Sequence, residues 1–374
     1  MKSIIAFISL IFCIFITNTS SGNTGVFYGS ANQVIPIKNN QIQLVREKVD
    51  IKLSVDNNSG QFGVPFIPWA NVTAKFYLKN TTQNTVSLQM GFPFLDLQGF
   101  GDEKYVLENL NFKVLSGGNE IKTEIKEGLI EKEFDPNGLF KKVFAWQDKF
   151  NSAETKEVVV TYKMLLGVAS ANSIFRNFDE QGRKFSDIDD LFPALSYNFG
   201  YITKTAYTWS GTIEEAIFQL DCTAFYKELE RQNFMTVLGE KAPKLSKPTF
   251  LESIDPGSAK KNNGIYKWTF TVSVPEEGLS VSFVILFLPS LPAEVGSYYA
   301  SSLSRLNNIK ADEFKSVLKA YYQNIAFDKQ PSDPFAQSYF KEVGLVKLPK
   351  EFVSEQDRKN LAEIANNFDE LIKK

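Results

Sequence analysis

Histidine is missing altogether. Its absence removes the commonest metal ligand and the only side chain whose unperturbed pKa lies between pH 5 and 8. Ser-His-Asp, Cys-His and zinc-hydrolase mechanisms are thereby excluded. An excess of one charge is missing too: 41 Lys and Arg stand against 43 Asp and Glu, a net charge of −2, which excludes a nucleic-acid binder driven by phosphate neutralisation. Phosphate-loop and dinucleotide fingerprints are absent. Beyond the N-terminus no apolar run reaches membrane-spanning length; the longest, Val281 to Leu288, stops at Pro289. What the chain does have is 43% apolar residues, 14% aromatics with 33 Phe, and only 22% charged residues over 374 positions. Such a composition builds a sizeable core and is poor in disorder-promoting residues.

The N-terminus carries the three parts of a secretory signal peptide. Met1 and Lys2 give a cationic start, Ile4 to Ile16 an almost unbroken apolar stretch, and Thr17 to Gly22 small polar residues with cleavage expected near Ser20 to Gly22. The apolar stretch is shorter than the ~20 residues that span a bilayer. Cys13 lies inside it behind Phe12, without the small residues that precede a lipoprotein cysteine, so no lipid anchor is expected. Removing residues 1–21 leaves Cys222 alone, and no intramolecular disulfide can form.

From about Gly25 to Pro289 the pattern has period two. Ala70, Val72, Ala74, Phe76 and Leu78 alternate with polar residues, and so do Tyr266, Trp268, Phe270, Val272 and Val274, one face buried and the other wet. Between Gln41 and Val55 the apolar phase flips, from Ile42 and Leu44 to Val49, Ile51, Leu53 and Val55; a bulge or a change of strand partner explains it. Val158-Val159-Val160 and Val281 to Leu288 read as strands covered on both faces. Turns are expected at Asn57 to Gly60, Ser116 to Asn119, Asp135 to Gly138, Asp255 to Gly257 and Asn262 to Gly264. One short helix, Thr223 to Gln232, interrupts the strands, with Phe225, Tyr226 and Leu229 on one face. The expected architecture is mainly β: an antiparallel β-sandwich region, one sandwich or two, over residues 22–291. An outer-membrane barrel is the competing β architecture, disfavoured because the chain ends in helices.

After Pro292 the period becomes about 3.6. Phe314, Val317, Leu318, Tyr321, Tyr322 and Ile325 line one helix; Phe335, Tyr339, Phe340 and Val343 a shorter one; and Leu361, Ile364, Ala365, Phe368, Leu371 and Ile372 the last, with Ser354 as its N-cap. A small α-helical C-terminal domain over 301–374 follows.

Few residues present chemistry. Asn177 to Gly182, followed by Asp187, Asp189 and Asp190, resembles a calcium loop, with Asp179 third and Gly182 sixth, but Ile188 stands at the twelfth position, where a bidentate Glu is needed. Calcium binding by Asp179, Asp187 and Asp189 therefore stays open, against the alternative of a polar hairpin loop. Glycoside cleavage needs only two carboxylates at fixed separation. Glu214 and Glu215, adjacent before a strand, point to opposite faces and do not share a site. Cys222 reads as a small buried hydrophobe, and no Ser-x-x-Lys stands at a helix start beside a partner motif. Trp69, Trp146, Trp209 and Trp268 fill a core or, as the alternative, form a sugar- or peptide-stacking platform. Sequons start at Asn57, Asn71 and Asn80; a composition heavy in Lys, Ile, Asn and Phe points to a bacterial source, in which they are incidental.

Two regions carry a resemblance. The stretch Asn23 to Ile37, then Ala74 to Asn80, Met90-Gly91-Phe92-Pro93 and Tyr207 to Ile213, resembles in this order the exported bacterial family called domain of unknown function 4424, over about residues 22–291. The resemblance implies export and a β-rich fold and supplies no activity. Leu318 to Phe327, Ser338-Tyr339-Phe340 and Ser354 to Asn360 resemble the YARHG domain, a helical module of exported bacterial proteins, over about 301–374. Its Ala-Arg-His-Gly core is replaced here, so no residue role carries over.

The sequence thus implies an exported, non-enzymatic protein of the periplasm, cell surface or medium that engages a cell-envelope protein or glycan. It implies no cofactor, no metal, no nucleic acid and no transmembrane anchor once the leader is removed. A carboxylate-dependent glycan hydrolase is the alternative.

Overall fold

The computed structural model describes residues 20–21, 24–28, 33–56, 67–94, 109–128, 142–170, 194–203, 206, 208–231, 249–274, 278–286, 288–306, 310–343 and 355–373. The chain is mainly β: two sheets face each other across one apolar core, and a cluster of helices follows. The eight-stranded sheet has the order β16 (Lys260–Asn262), β17 (Ile265–Val272), β14 (Ile213–Asp221), β4 (Ile42–Asp56), β5 (Ile67–Asn80), β11 (Thr155–Leu165), β7 (Lys113–Ser116) and β8 (Asn119–Ile121). Its inward residues follow the expected phase at Val72, Ala74, Phe76 and Leu78 on β5 and at Tyr266 and Trp268 on β17, but Val272, expected on the dry face, is 67% exposed at the end of β17, where the pairing with β14 slips. The core is continuous from one sheet to the other, which makes one sandwich of it. Phe92 and Tyr162 meet across it with ring centroids 5.1 Å apart, and Tyr201 and Phe218 at 5.7 Å.

The phase flip in β4 is a bulge. Its pairing with β5 shifts register between Leu44 and Arg46, so Val45 is the extra residue, and Val49, Ile51 and Leu53 turn inward after it. One polar residue turns inward with them: Glu47 is fully buried. Val158-Val159-Val160 departs from expectation. Val158 and Val160 are buried but Val159 is half-exposed, because β11 lies in a sheet with one wet face. The sandwich is also not wholly antiparallel: β4 runs parallel to β14, β1 (Ser20–Ser21) to β13 (Ala194–Tyr201), and β3 (Gln33–Pro36) to β9 (Glu124–Gly128). Of the expected turns, Gly117 and Gly118 connect β7 to β8, and Asn263 and Gly264 connect β16 to β17, each pair at positive φ as tight hairpins require. Residues 57–60 and 135–138 lie outside the described residues.

In the ten-stranded sheet, β6 (Val86–Phe94) pairs with β10 (Lys142–Phe150) on one edge and with β2 (Gly25–Tyr28) and β1 on the other. Because β10 pairs β9, β9 pairs β3 and β3 pairs β2, these five strands close on themselves. Phe27 and Val143 form a small buried cluster of their own beside Gly91. A Cβ at Gly91 would stand 2.6 Å from both Phe27 Cδ2 and Val143 Cγ1. Gly91→Ala is expected to destabilise by about 1–3 kcal/mol in urea unfolding. Phe27→Ala in the same chain makes room and lowers the added cost of the alanine. From β1 the sheet continues through β13, β18 (Leu279–Leu286) and β15 (Thr249–Asp255), with β12 (Gly167–Ser170) beside β13.

The interrupting helix is α1 (Thr223–Arg231); its Phe225 and Tyr226 pack on Phe283 at 4.8 and 5.7 Å. The C-terminal helices are α2 (Pro292–Leu303), α3 (Ala311–Phe327), α4 (Pro334–Val343) and α5 (Glu355–Leu371). They surround a second core that holds Phe314, Leu318, Tyr339, Ile364 and Phe368, the apolar stripes read from the sequence. Helix α2 begins ahead of residue 301 and runs past it. Val295, Tyr298 and Tyr299 supply its buried face, while Ser, Ala and Gly between them blur its periodicity. The Ser354 cap lies outside the described residues. Asp369 on α5 binds Lys315 at 3.0 Å and Lys319, both on α3. Lys319, and then Lys315, hold the Asp369 carboxyl below its ordinary range. A depressed carboxylate stabilises above its unfolded pKa and loses that contribution as pH falls through the folded one. The melting temperature of the helical cluster is expected to drop as pH falls below ~4, and Asp369→Asn to flatten that part of the profile.

Candidate functional site

The acidic cluster with Asp179, Asp187 and Asp189 lies outside the described residues. Among the described residues no group of three or more Cys, Asp or Glu could hold a metal ion. Glu214 and Glu215 sit inside β14, not before it, where the register with β17 slips between Ile213 and Ala216. Glu214 is exposed and Glu215 half-buried opposite Arg46 of β4, so the pair does not converge. Cys222 is fully buried ahead of α1, and its carbonyl accepts from the Tyr226 N–H at 2.9 Å. The tryptophans are 2–3% exposed and form no platform. Trp209 donates to the Thr24 carbonyl and Trp268 to the Pro256 carbonyl. The Asn80 sequon is sealed: its side chain is buried and donates to the carbonyls of Asn84, Phe150 and Asn151. Asn71 is half-buried, and Asn57 lies outside the described residues.

Two interior carboxylates tie the sheets together. Glu47, brought inward by the bulge on β4, accepts a hydrogen bond at 3.1 Å from the hydroxyl of Tyr201 on β13. Burial and the Glu47 carboxylate push the Tyr201 phenol well up, so it stays a donor at every physiological pH. Asp148 on β10 accepts from Ser116 Oγ on β7 at 2.6 Å and pairs with Lys156 Nζ on β11 at 3.0 Å. Glu47 is fully enclosed and Asp148 is 8% exposed, so neither is placed to meet a substrate from solvent.

The outward face of the eight-stranded sheet is the broad polar surface of the described chain, and register maps it row by row. One row reads Lys267, Gln219, Asp50, Thr73, Thr161, Lys113 from β17 to β7. The next reads Ile217, Lys48, Lys75, Val159, and the one on the other side Asp221, Lys52, Asn71, Lys163. With strands ~4.8 Å apart, the six-residue row is about 24 Å wide. Some cations are satisfied there. Lys48 meets Asp50 at 3.2 Å, Lys163 meets Asp56 at 3.3 Å, and the Arg46 guanidinium lies 4.1 Å over the Tyr77 ring. Among the described residues Lys52, Lys75, Lys113 and Lys267 make no ion pair, and Lys48 stands directly opposite Lys75. Like charges in that position destabilise a sheet. Sequence reading misses this face, because each lysine is by itself only the wet residue of an alternating strand.

No protein-family model matches the sequence, and no curated protein does. Among solved structures, the chain is similar to a provisionally named nutrient binding protein from Legionella pneumophila, at 17% identity and a TM-score of 0.44, over 92% of this chain and 99% of that one. It is also similar to an M1 zinc metallopeptidase from Deinococcus radiodurans, at 7% identity and a TM-score of 0.26, over 66% of this chain and 43% of that one. Among the described residues no helix is long and apolar enough to cross a membrane.

Proposed function

We propose that this chain is an exported, non-enzymatic module that engages a cell-envelope protein or glycan, in the periplasm or at the cell surface, after removal of an N-terminal leader cleaved near Ser20 to Gly22. The observation that carries this reading is the wide outward face of the eight-stranded sheet, on which Asp50 holds Lys48 while Lys52, Lys75, Lys113 and Lys267 make no ion pair among the described residues. The buried carboxylates support the same reading over glycan hydrolysis, since Glu47 and Asp148 are engaged inside the sandwich by Tyr201, Ser116 and Lys156. The resemblances to the domain of unknown function 4424 family and to the YARHG domain fit an envelope protein with a helical tail. Pull-down from envelope extract and a glycan array test the reading: a reproducible partner in either supports it, and two empty results overturn it. N-terminal sequencing of the protein from its native host tests export, with a mature start near Ser20 to Gly22 expected and an intact Met1 the contrary result.

A further inference from the structure

We propose that residues 20–28 form a closing strand that seats last and opens on its own, in a slot that takes an extended peptide reading Thr24-Gly25-Val26-Phe27. The inference goes beyond the binding-module reading and does not depend on it. The slot lies where the ten-stranded sheet divides. Among the described residues β6 and β13 are joined only through β1: Ser21 stands opposite Phe94 of β6, and Ser20 and Ser21 run parallel to Gly200 and Tyr201 of β13. Strand β2 continues along β6, with Gly25 opposite Gly91, Val26 opposite Met90 and Phe27 opposite Gln89. Strand addition of this kind draws affinity from main-chain pairing and specificity from pockets for side chains.

Two residues supply that specificity. Thr24 is fully buried; its hydroxyl donates to the Gly91 carbonyl at 3.2 Å, and its own carbonyl accepts from the Trp209 indole N–H at 3.2 Å. Phe27 fills a space that exists because Gly91 has no Cβ, and it packs with Val143. Tyr28, the next residue, is exposed, so the anchoring ends at Phe27. Most of these partners are distant in the chain: Gly91 lies 67 positions from Thr24, and Trp209 lies 185 positions from it. Contacts of such separation carry a large loop-closure cost and form after local ones. Among the described residues β3 holds the segment locally by two pairs alone, Phe27 with Pro36 and Tyr28 with Ile35. A chain end with so little local pairing opens without the rest of the sandwich, as units of low local stability do. Thr24 to Phe27 follow the expected cut near Ser20 to Gly22 and so stay in the mature chain.

The test uses the chain from Ser20 to Lys374, which contains every described element, and hydrogen exchange read by mass spectrometry. Residues 20–28 are expected to exchange about tenfold or more faster than β5 and about tenfold or more slower than an unfolded chain. A second arm offers a fluorescent peptide of residues 20–30 to the same chain carrying Phe27→Ala, with anisotropy as readout. The variant is expected to bind it at least about tenfold more tightly than the parent, whose own segment competes at an effective concentration of about millimolar order. A peptide carrying Phe27→Ala, or one of scrambled order, is expected to bind at least about tenfold more weakly than the natural peptide. Exchange of residues 20–28 at the unfolded rate, or in step with β5, overturns the proposal. Equal binding of the natural and scrambled peptides, or no gain of binding in the variant, does the same. Should Phe27→Ala fail to fold, the exchange of the parent chain decides by itself.

Discussion

Lys156→Ala is expected to lower the unfolding free energy by about 3–5 kcal/mol, the usual loss when one member of a buried ion pair is removed. The Lys156 side chain is 14% exposed, and its ammonium lies 3.0 Å from Asp148 Oδ1 and 4.6 Å above the Phe150 ring and also donates to the Lys149 carbonyl. Without it the Asp148 carboxylate keeps Ser116 Oγ at 2.6 Å and its neighbour's N–H at 2.8 Å but loses its countercharge at 5% side-chain exposure. Because β10 belongs to one sheet and β11 and β7 to the other, the loss falls on the junction between the sheets. Urea unfolding of Lys156→Ala, Asp148→Asn and the double variant checks this. The double variant is expected to recover much of the loss, since it leaves no uncompensated buried charge. A single-variant loss below about 1 kcal/mol would show that the pair behaves as an exposed one.

Gly278→Ala is the other large effect, at about 3 kcal/mol or more. Gly278 has φ +83°, a conformation that costs an L-residue roughly 1–2 kcal/mol. A Cβ there would also run into the backbone carbonyl of Tyr201 and lie 3.2 Å from Ile202 Cα. Backbone cannot turn aside as a side-chain tip can, and Tyr201 is held by its pairing with Leu279. Relief would have to move the end of β13 and with it the Tyr201 hydroxyl that donates to Glu47. Gly257→Ala is the control: nothing lies within 4 Å of the added atom, and a change within about 0.5 kcal/mol is expected. Equal melting temperatures for the two variants would refute the argument.

Both effects arise at places the sequence does not mark. The phase flip from Leu44 to Val49 is legible as a bulge, because alternation is a local property of a pleated strand. That Glu47 then points into the core is not legible, since a lone glutamate between Arg46 and Lys48 reads as part of a wet run. Trp69 shows the converse. It stands in the outward phase of β5 yet is covered, which no alternation rule anticipates. Helix α2 escapes notice because its buried Tyr298 and Tyr299 stand side by side among serine, alanine and glycine, while α3 and α5 show clear apolar stripes.

The candidate site divides in the same way. Lys48, Lys52, Lys75 and Lys113 each appear in the sequence as ordinary solvated residues. They become one surface only through the pairing of β14 with β4, β4 with β5, β5 with β11 and β11 with β7, whose partners come from distant parts of the chain. The sequence by itself determined the period of most elements, the dry side of the strands that alternate cleanly, the helical tail and the exclusion of histidine chemistry. Tertiary structure alone decided which strands became neighbours, and therefore which charges share a face and which carboxylates are shut inside. Period follows from backbone geometry, residue by residue, whereas neighbours are chosen when whole apolar faces are buried together, and every polar group on the other face follows.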